Sequence, residues 1–433
     1  MTTRGRWWNS IGTSGLLAGL TALLLIWTLS GKSYAESLFN LTVSSEGTTY
    51  NQGFDSVQNL LDAISVDSIQ NHIPAYTEHS QVNIEMGYRG LPILVDIGTA
   101  MDPTAVHIYI PSIGVDKVFT GATRQESIDA MEDWLEGNGS STLAEMTRYL
   151  AAKTPTDPIA GNPSSLMGTM TTADFNTGFT DQVTTLDQGV EAPVLGPGEK
   201  AENANVIALE ASVRRLKAGD FEGSLYRVPL SYSFVSNDDP RRRIKVSVPL
   251  SVLITNGATS YTGGLGLAVS LPVTRAWVLT PAASYAVAAA PDFGTGAQLF
   301  SASLTSALSL PVGSFTINVG NMLGYYQSLP FHYKDYSYDP ALKNFAIRNG
   351  LMIGFPLGKL LGGEVFVTDT RYLGSDLYVD QYNEVGFSLG LRKITDKKKG
   401  NRVIRALQMI RVGGTFVFGR DYQSWEFNAG YAF

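Results

Sequence analysis

From about residue 206 to the end of the chain, apolar residues recur at every second position with small or polar residues between them. A period of two held over that length admits strands and little else. Ile244, Val246, Val248, Leu250 and Val252 alternate with Lys245, Ser247, Pro249 and Ser251, and Leu265, Leu267, Val269 and Leu271 alternate with glycine, alanine and serine. The pattern continues through Phe300 to Leu310, Phe315 to Tyr325, Leu351 to Leu357, Val385 to Leu391 and Ile410 to Phe418, and ends at Trp425, Phe427, Ala429, Tyr431 and Phe433. With Tyr226–Phe234, Trp277–Val287 and Gly363–Tyr372 the runs amount to eleven strands. A twelfth fits Ile207 to Arg214, where Val206, Leu209, Val213 and Leu216 would equally make a helical stripe. An even count favours the strand, since a closed antiparallel sheet needs an even number of strands for its first and last to pair antiparallel.

The residues between the apolar ones are mainly Gly, Ala, Ser and Thr with isolated charges, which suits a crowded lumen better than an exposed surface. Their parity selects Arg227, Lys245, Arg348, Glu384, Arg392, Arg411 and Glu426 as lumen residues, five basic and two acidic. In an open pore such an excess sets ion preference, making these the candidate solute-binding residues. In a filled barrel they would pair with one another. Ser270-Leu271-Pro272-Val273, Ser309-Leu310-Pro311-Val312 and Phe355-Pro356-Leu357 recur on alternate connections. Proline belongs at strand ends, so these turns share one rim, and the longest connection, Ser328 to Asn344, lies on the other.

The final strand, with Trp425, Phe427, Tyr431 and a terminal Phe433 at alternate positions, resembles the C-terminal strand of Gram-negative outer-membrane β-barrel proteins. The resemblance implies that these aromatics are read by the outer-membrane insertion machinery, and it names a class without a family. The expected fold is all-β, a transmembrane antiparallel β-barrel of about 12 strands, preceded by a small α/β N-terminal domain.

Arg4 and Arg6, an apolar run from Leu16 to Leu29, and Ser33 with Ala35 read as a signal peptide, residues 1–35, cleaved after Ala35; the alternative is a membrane anchor. The net charge of −7 is uneven. Residues 36–200 hold 22 acidic and 6 basic residues, whereas 201–433 hold 17 and 23. Residues 36–153 read as the acidic α/β domain, with strands at Phe39–Val43, Val82–Met86, Ile93–Ile97 and Val106–Ile110. Thr123 with Glu126, and Thr142 with Glu145, read as capping boxes opening two helices, the first closed by Gly137. Residues 154–205 are rich in Pro, Gly, Ser and Thr with no sustained period, a linker or a plug in the barrel mouth. Residues 206–433 are the barrel.

Composition removes other classes. Zero cysteines exclude disulfide scaffolds, thiol nucleophiles and Cys-ligated metals. A charged fraction of 16% argues against a coiled coil or a charged disordered chain, and no stretch beyond the N-terminus is long and apolar enough for a membrane helix. His72 and His79 with Glu78 lack the further ligands a metal site needs. Gly386-Phe387-Ser388-Leu389-Gly390 matches a serine-hydrolase motif, but on a strand, without the strand-turn-helix elbow. His332, near Asp335 and Asp339, is the one histidine in the barrel segment.

The expected function is therefore an outer-membrane pore for ions or small solutes, not an enzyme, with the N-terminal domain in the periplasm or the barrel mouth. The expected partners are outer-membrane lipid, the insertion machinery, and ions or solutes; no cofactor, metal or nucleic acid is expected. The acidic domain is expected to dock on the basic run Lys397–Lys399 or on Arg227, Arg392 and Arg411. The second reading is an autotransporter-like translocator in which residues 36–200 form a small passenger and residues 200–217 a helix threading the pore, and the third is an outer-membrane hydrolase.

Overall fold

The computed structural model describes residues 37–77, 79–99, 101–136, 140–187, 205–236, 238–239, 241–333, 336–358, 361–391 and 410–432. The signal-peptide reading, Gly137, Arg392, Lys397–Lys399 and Phe433 lie outside them.

The N-terminal part is a six-stranded antiparallel sheet in the order β2-β1-β3-β4-β5-β6. The strands are β1 (Phe39–Ser45), β2 (Thr48–Phe54), β3 (Val82–Tyr88), β4 (Leu91–Ile97), β5 (Val106–Ile110) and β6 (Val115–Phe119). In β1, β3 and β4 every second residue, counted from the first, is buried, the alternation a one-sided sheet requires. Glu46-Gly47 and Arg89-Gly90 close two-residue hairpins with positive φ at both positions (50° and 73°, 54° and 90°), the twist-matched turn for adjacent antiparallel strands. The apolar face packs on α1 (Val57–Asp62), α2 (Val66–His72), α3 (Arg124–Glu136) and α4 (Ser140–Lys153). The edge strands β2 and β6 carry no apolar alternation and escape a pattern search.

One expected capping box holds in part. Thr123 Oγ1 accepts from the Glu126 amide at 3.2 Å, while Glu126 reaches back to the Ala122 amide at 2.7 Å. The other does not, because α4 already begins at Ser140 and places Thr142 inside its first turn.

The C-terminal part is a closed antiparallel barrel of twelve strands. They are β7 (Val206–Ala218), β8 (Phe221–Arg227 with Leu230–Val235), β9 (Arg243–Val248 with Leu250–Thr255), β10 (Ala258–Pro272), β11 (Trp277–Ala290), β12 (Thr295–Val312), β13 (Phe315–Leu329), β14 (Lys343–Leu357), β15 (Leu361–Gly374), β16 (Gln381–Leu391), β17 (Ile410–Gly419) and β18 (Tyr422–Ala432). β8 and β9 are interrupted around Pro229 and at Pro249, which have no N–H to give to a ladder. The ambiguous segment at 206 is a strand. β7 pairs with β18 from Tyr422↔Ala218 to Ala432↔Ala208 and shuts the barrel.

The packing is inside-out. Leu265, Leu267, Leu304, Leu323, Val365, Val385, Trp425 and Phe427 are exposed, whereas Arg214, Arg348, Glu384, Glu426, Thr280, Ser301 and Asn344 are buried. A sheet with apolar residues outside and polar ones within is built for lipid around and water or chain inside. One rim holds Val206, Ala432 and the turns after Pro272, Val312 and Leu357, so the three proline motifs share it. There Arg241 donates to the carbonyls of Thr274 and Arg275, and its guanidinium holds the Asp239 carboxyl below the usual carboxylate range. The far rim holds the turns at Gly219, Gly257 and Pro291–Phe293 and the ribbon of Phe331–Tyr333 with Tyr336–Tyr338.

The six-stranded sheet stands on this far rim. Ala258, Ala290 and Phe293 of the barrel belong to its apolar core, and the Tyr88 hydroxyl donates to the Phe293 carbonyl at 2.6 Å. Because the barrel crosses the membrane, Leu265→Arg on its outer face should cost about 2–4 kcal/mol of folding stability near the bilayer midplane. Denaturant titration of the protein refolded into lipid vesicles measures the loss, and Ser247→Ala on the lumen side serves as the comparison.

Candidate functional site

Residues 154–187, read as aperiodic from sequence, enter the barrel from the far rim and run down its lumen. They carry two helices, α5 (Leu166–Gly178) and α6 (Thr180–Asp187). The lack of pattern has a physical cause. A helix enclosed on all sides needs no apolar stripe, and every residue of α5 is buried or half-buried. Ser165 caps it, accepting from the Gly168 amide at 3.3 Å.

The contacts follow the chain from rim to rim. At the entrance Asp157 forms a fully buried ion pair with Arg89 of the β3–β4 turn, while its other oxygen accepts from the Ile159 and Ala160 amides at 2.9 and 2.8 Å. Arg89 also lies beside the Phe293 ring, its guanidinium carbon 5.5 Å from the centroid, so sheet, barrel rim and lumen chain meet at one side chain. Next, Arg214 donates to the Pro163 carbonyl at 3.1 Å, and the Ser164 and Tyr422 hydroxyls are 2.6 Å apart. Tyr372 bonds Thr171 at 3.0 Å. Asp174 accepts from Ser284 (2.7 Å), Ser301 (2.9 Å) and Tyr326 (3.0 Å), three hydroxyls from three consecutive strands. Near the other rim Asp181 pairs with Lys245, its carbonyl accepts from Arg243 at 2.8 Å, and Gln182 reaches Ser270 at 2.5 Å.

Glycines in the wall make room for the rings of α5 and the residue after it. A Cβ on Gly320 would stand 2.5 Å from the Phe179 ring, and one on Gly350 would stand 2.9 Å from the Phe175 ring. The small inward residues therefore line a space already occupied. Arg348 lies over the Phe175 ring at 4.9 Å, a geometry that favours a cation on an aromatic face.

Every described member of the expected lumen set points inward, and each has a charged partner. Glu426 binds Arg214 (2.6 Å) and Arg227, Arg348 binds Glu384, Arg411 binds Glu364 (2.6 Å), and Lys245 binds Asp181 of the threaded chain. The expected docking of the acidic domain on Arg227 and Arg411 does not occur, because Glu426 and Glu364 already hold them. Sequence reading missed Arg214 and Glu364, whose strand parity would have found them, and Asp174 and Asp181, which no parity reaches. Among the described residues the inward wall carries six cations, Arg214, Arg227, Arg243, Lys245, Arg348 and Arg411, against four carboxylates, Glu210, Glu364, Glu384 and Glu426. Of the acids of the threaded chain, Asp181 pairs with one of these cations, Lys245, and Asp174 is held by hydroxyls.

The residues weighed for catalysis or metal sit elsewhere. Ser388 lies mid-strand in β16, donating to Glu364 at 2.8 Å and accepting from Arg411 at 3.0 Å. His72 stacks on Tyr50 with centroids 4.3 Å apart. The side chain of His332 lies outside the described residues. On the open face of the sheet His107 bonds Asp116 at 2.7 Å.

No family model matches the chain, and no curated protein matches it in sequence. Solved structures similar to it include the β domain of the Bordetella autotransporter BrkA, at 11% identity, covering 53% of this chain and 99% of that one with a TM-score of 0.40. The translocator domain of the autotransporter NalP from Neisseria meningitidis is 12% identical over 61% of this chain and 97% of that one, with a TM-score of 0.38. The KdgM porin in complex with disordered oligogalacturonate is 7% identical over 52% and 99%, with a TM-score of 0.33. These are likenesses of outer-membrane barrels, and what those proteins do does not pass to this chain with them.

The triad of Glu426 with two arginines joins β7, β8 and β18 across the closing seam. Removing one partner of a buried ion pair typically costs about 3–5 kcal/mol. Glu426→Gln should therefore lower the unfolding transition of the detergent-solubilised barrel, whereas the outward-facing Gln423→Ala should leave it in place; a thermal scan of the unboiled band on a detergent gel reads both.

Proposed function

We infer that this outer-membrane barrel carries its own N-terminal domain, residues 37–153, on its far rim by holding the connecting chain in its lumen, as a self-threaded translocator and surface anchor. One observation carries the reading: the chain leaves the six-stranded sheet at one rim, passes through the barrel as α5 and α6, and begins the first barrel strand at the opposite rim. With an even number of strands and both barrel ends on the periplasmic side, the far rim faces outward. The sheet then lies at the cell surface, away from the periplasmic position expected from sequence. This favours the translocator reading over the open pore.

In this reading Arg227, Lys245, Arg348, Glu384, Arg411 and Glu426 belong to the wall around the threaded chain, Lys245 and Arg348 touching it directly, and solute binding by them belongs to an emptied lumen. Arg392, outside the described residues, shares their parity. Trp425 and Phe427, exposed on the outer face of β18, are the described part of the aromatic strand available to the insertion machinery.

Protease added to intact cells tests the arrangement. Digestion of residues 37–153 that leaves a heat-modifiable barrel fragment is the expected result. Protection in intact cells, with digestion only after the outer membrane is opened, would overturn it. In planar bilayers the full-length protein should be closed at rest, and the double variant Asp174→Asn/Asp181→Asn, which leaves Lys245 of the wall without its carboxylate partner, should pass anions in preference to cations whenever it opens.

A further inference from the structure

The wall contains two carboxylate receptors of different chemistry. One is uncharged, the hydroxyls of Ser284, Ser301 and Tyr326 around Asp174. The other is the Lys245 ammonium, on Asp181 and within 3.3 Å of Thr177 Oγ1. The two aspartates are seven positions apart, one in α5 and one in α6. Between residues 154 and 187 the acidic positions are Asp157, Asp174, Asp181 and Asp187, and Asp174 with Asp181 is the one pair at that spacing. From Pro158 to Ala173 the chain is uncharged, made largely of Gly, Ala, Ser, Thr, Asn and Met. Such a stretch can pass hydroxyl-rich walls in many registers, since none offers a carboxylate to either receptor. The two aromatic rings add shape to the same register, Phe175 against Gly350 and Phe179 against Gly320.

We propose that Asp174 and Asp181 are the stop that halts the threaded chain at a single register, read by the Ser284–Ser301–Tyr326 hydroxyls and by Lys245. The proposal rests on the self-threaded reading above and assigns its positioning residues. It explains why an otherwise bland segment places two acids where it does. While residues 158–173 lie at these positions, Lys245 and the hydroxyl cradle face uncharged chain, and the threaded segment is free to move along the barrel axis.

The chain has no cysteine of its own, so introduced pairs report register without background. Gly320 of β13 faces Phe179 directly, and Asn318 is the next inward position of β13 toward the rim that holds Val206 and Ala432. Full-length protein carrying Phe179→Cys with Gly320→Cys should cross-link under mild oxidation, and Phe179→Cys with Asn318→Cys should do so poorly. Adding Asp174→Asn and Asp181→Asn should lower the first yield relative to the second about tenfold, the size of one charge-assisted hydrogen bond. Ser284→Ala with Ser301→Ala should shift register in the same way while leaving Asp174 in place. The swap Lys245→Asp with Asp181→Lys should restore it, a rescue that a merely structural role for Asp181 would not give.

Heat modifiability confirms in each case that the barrel has folded. Unchanged ratios in the folded aspartate double variant would overturn the stop. Cell-surface protease digestion reads the display reading separately, so a protected N-terminal domain beside a shifting cross-link would sink the topology and leave the stop standing.

Discussion

A closed barrel in lipid satisfies every backbone group through its own ladders, and in doing so it creates an interior that must be provided for. Here the interior is a ring of buried arginines, glutamates and hydroxyls that are costly without partners. The rest of the architecture follows from how they are paired. Wall charges pair with wall charges where strand register allows, as in Arg348 with Glu384 and Arg411 with Glu364. The remainder is completed by a segment from the same chain. Because that segment is covalently continuous with the six-stranded sheet, filling the lumen also decides which rim the sheet occupies.

Arg89 and Asp157 show how the levels connect. The turn that presents Arg89 exists because an Arg-Gly pair closes a two-residue hairpin in a one-sided sheet. The same side chain then meets the first acidic residue of the lumen chain and lies over a ring of the β11–β12 turn. The hairpin geometry of the N-terminal sheet thus bears on the seal at the mouth of the barrel.

The barrel was legible because a period of two and an outward apolar face are imposed by lipid on every strand. Even the ambiguous segment at Val206 resolves once strand parity is counted, and Arg214 and Glu364 were within reach of the same rule. The threaded segment was not legible. Its helix α5 is enclosed on all sides, so Leu166, Met167, Met170 and Phe175 share no single face, and its aspartates answer to partners more than 60 residues away in sequence. β2 and β6 escaped for the opposite reason: as edge strands they bury too little for alternation to be needed.

The width of the lumen sets an order of events. An α-helix with its side chains is about 10–12 Å across, and one such helix with Phe175 and Phe179 pressed against glycines fills this barrel. A folded domain of about 100 residues has a radius of gyration near 13 Å, so its diameter exceeds the opening severalfold. The sheet on the far rim therefore reached its place as an unfolded chain, or before β7 met β18. Its final fold, once formed above the rim, acts as a stopper that bars the way back.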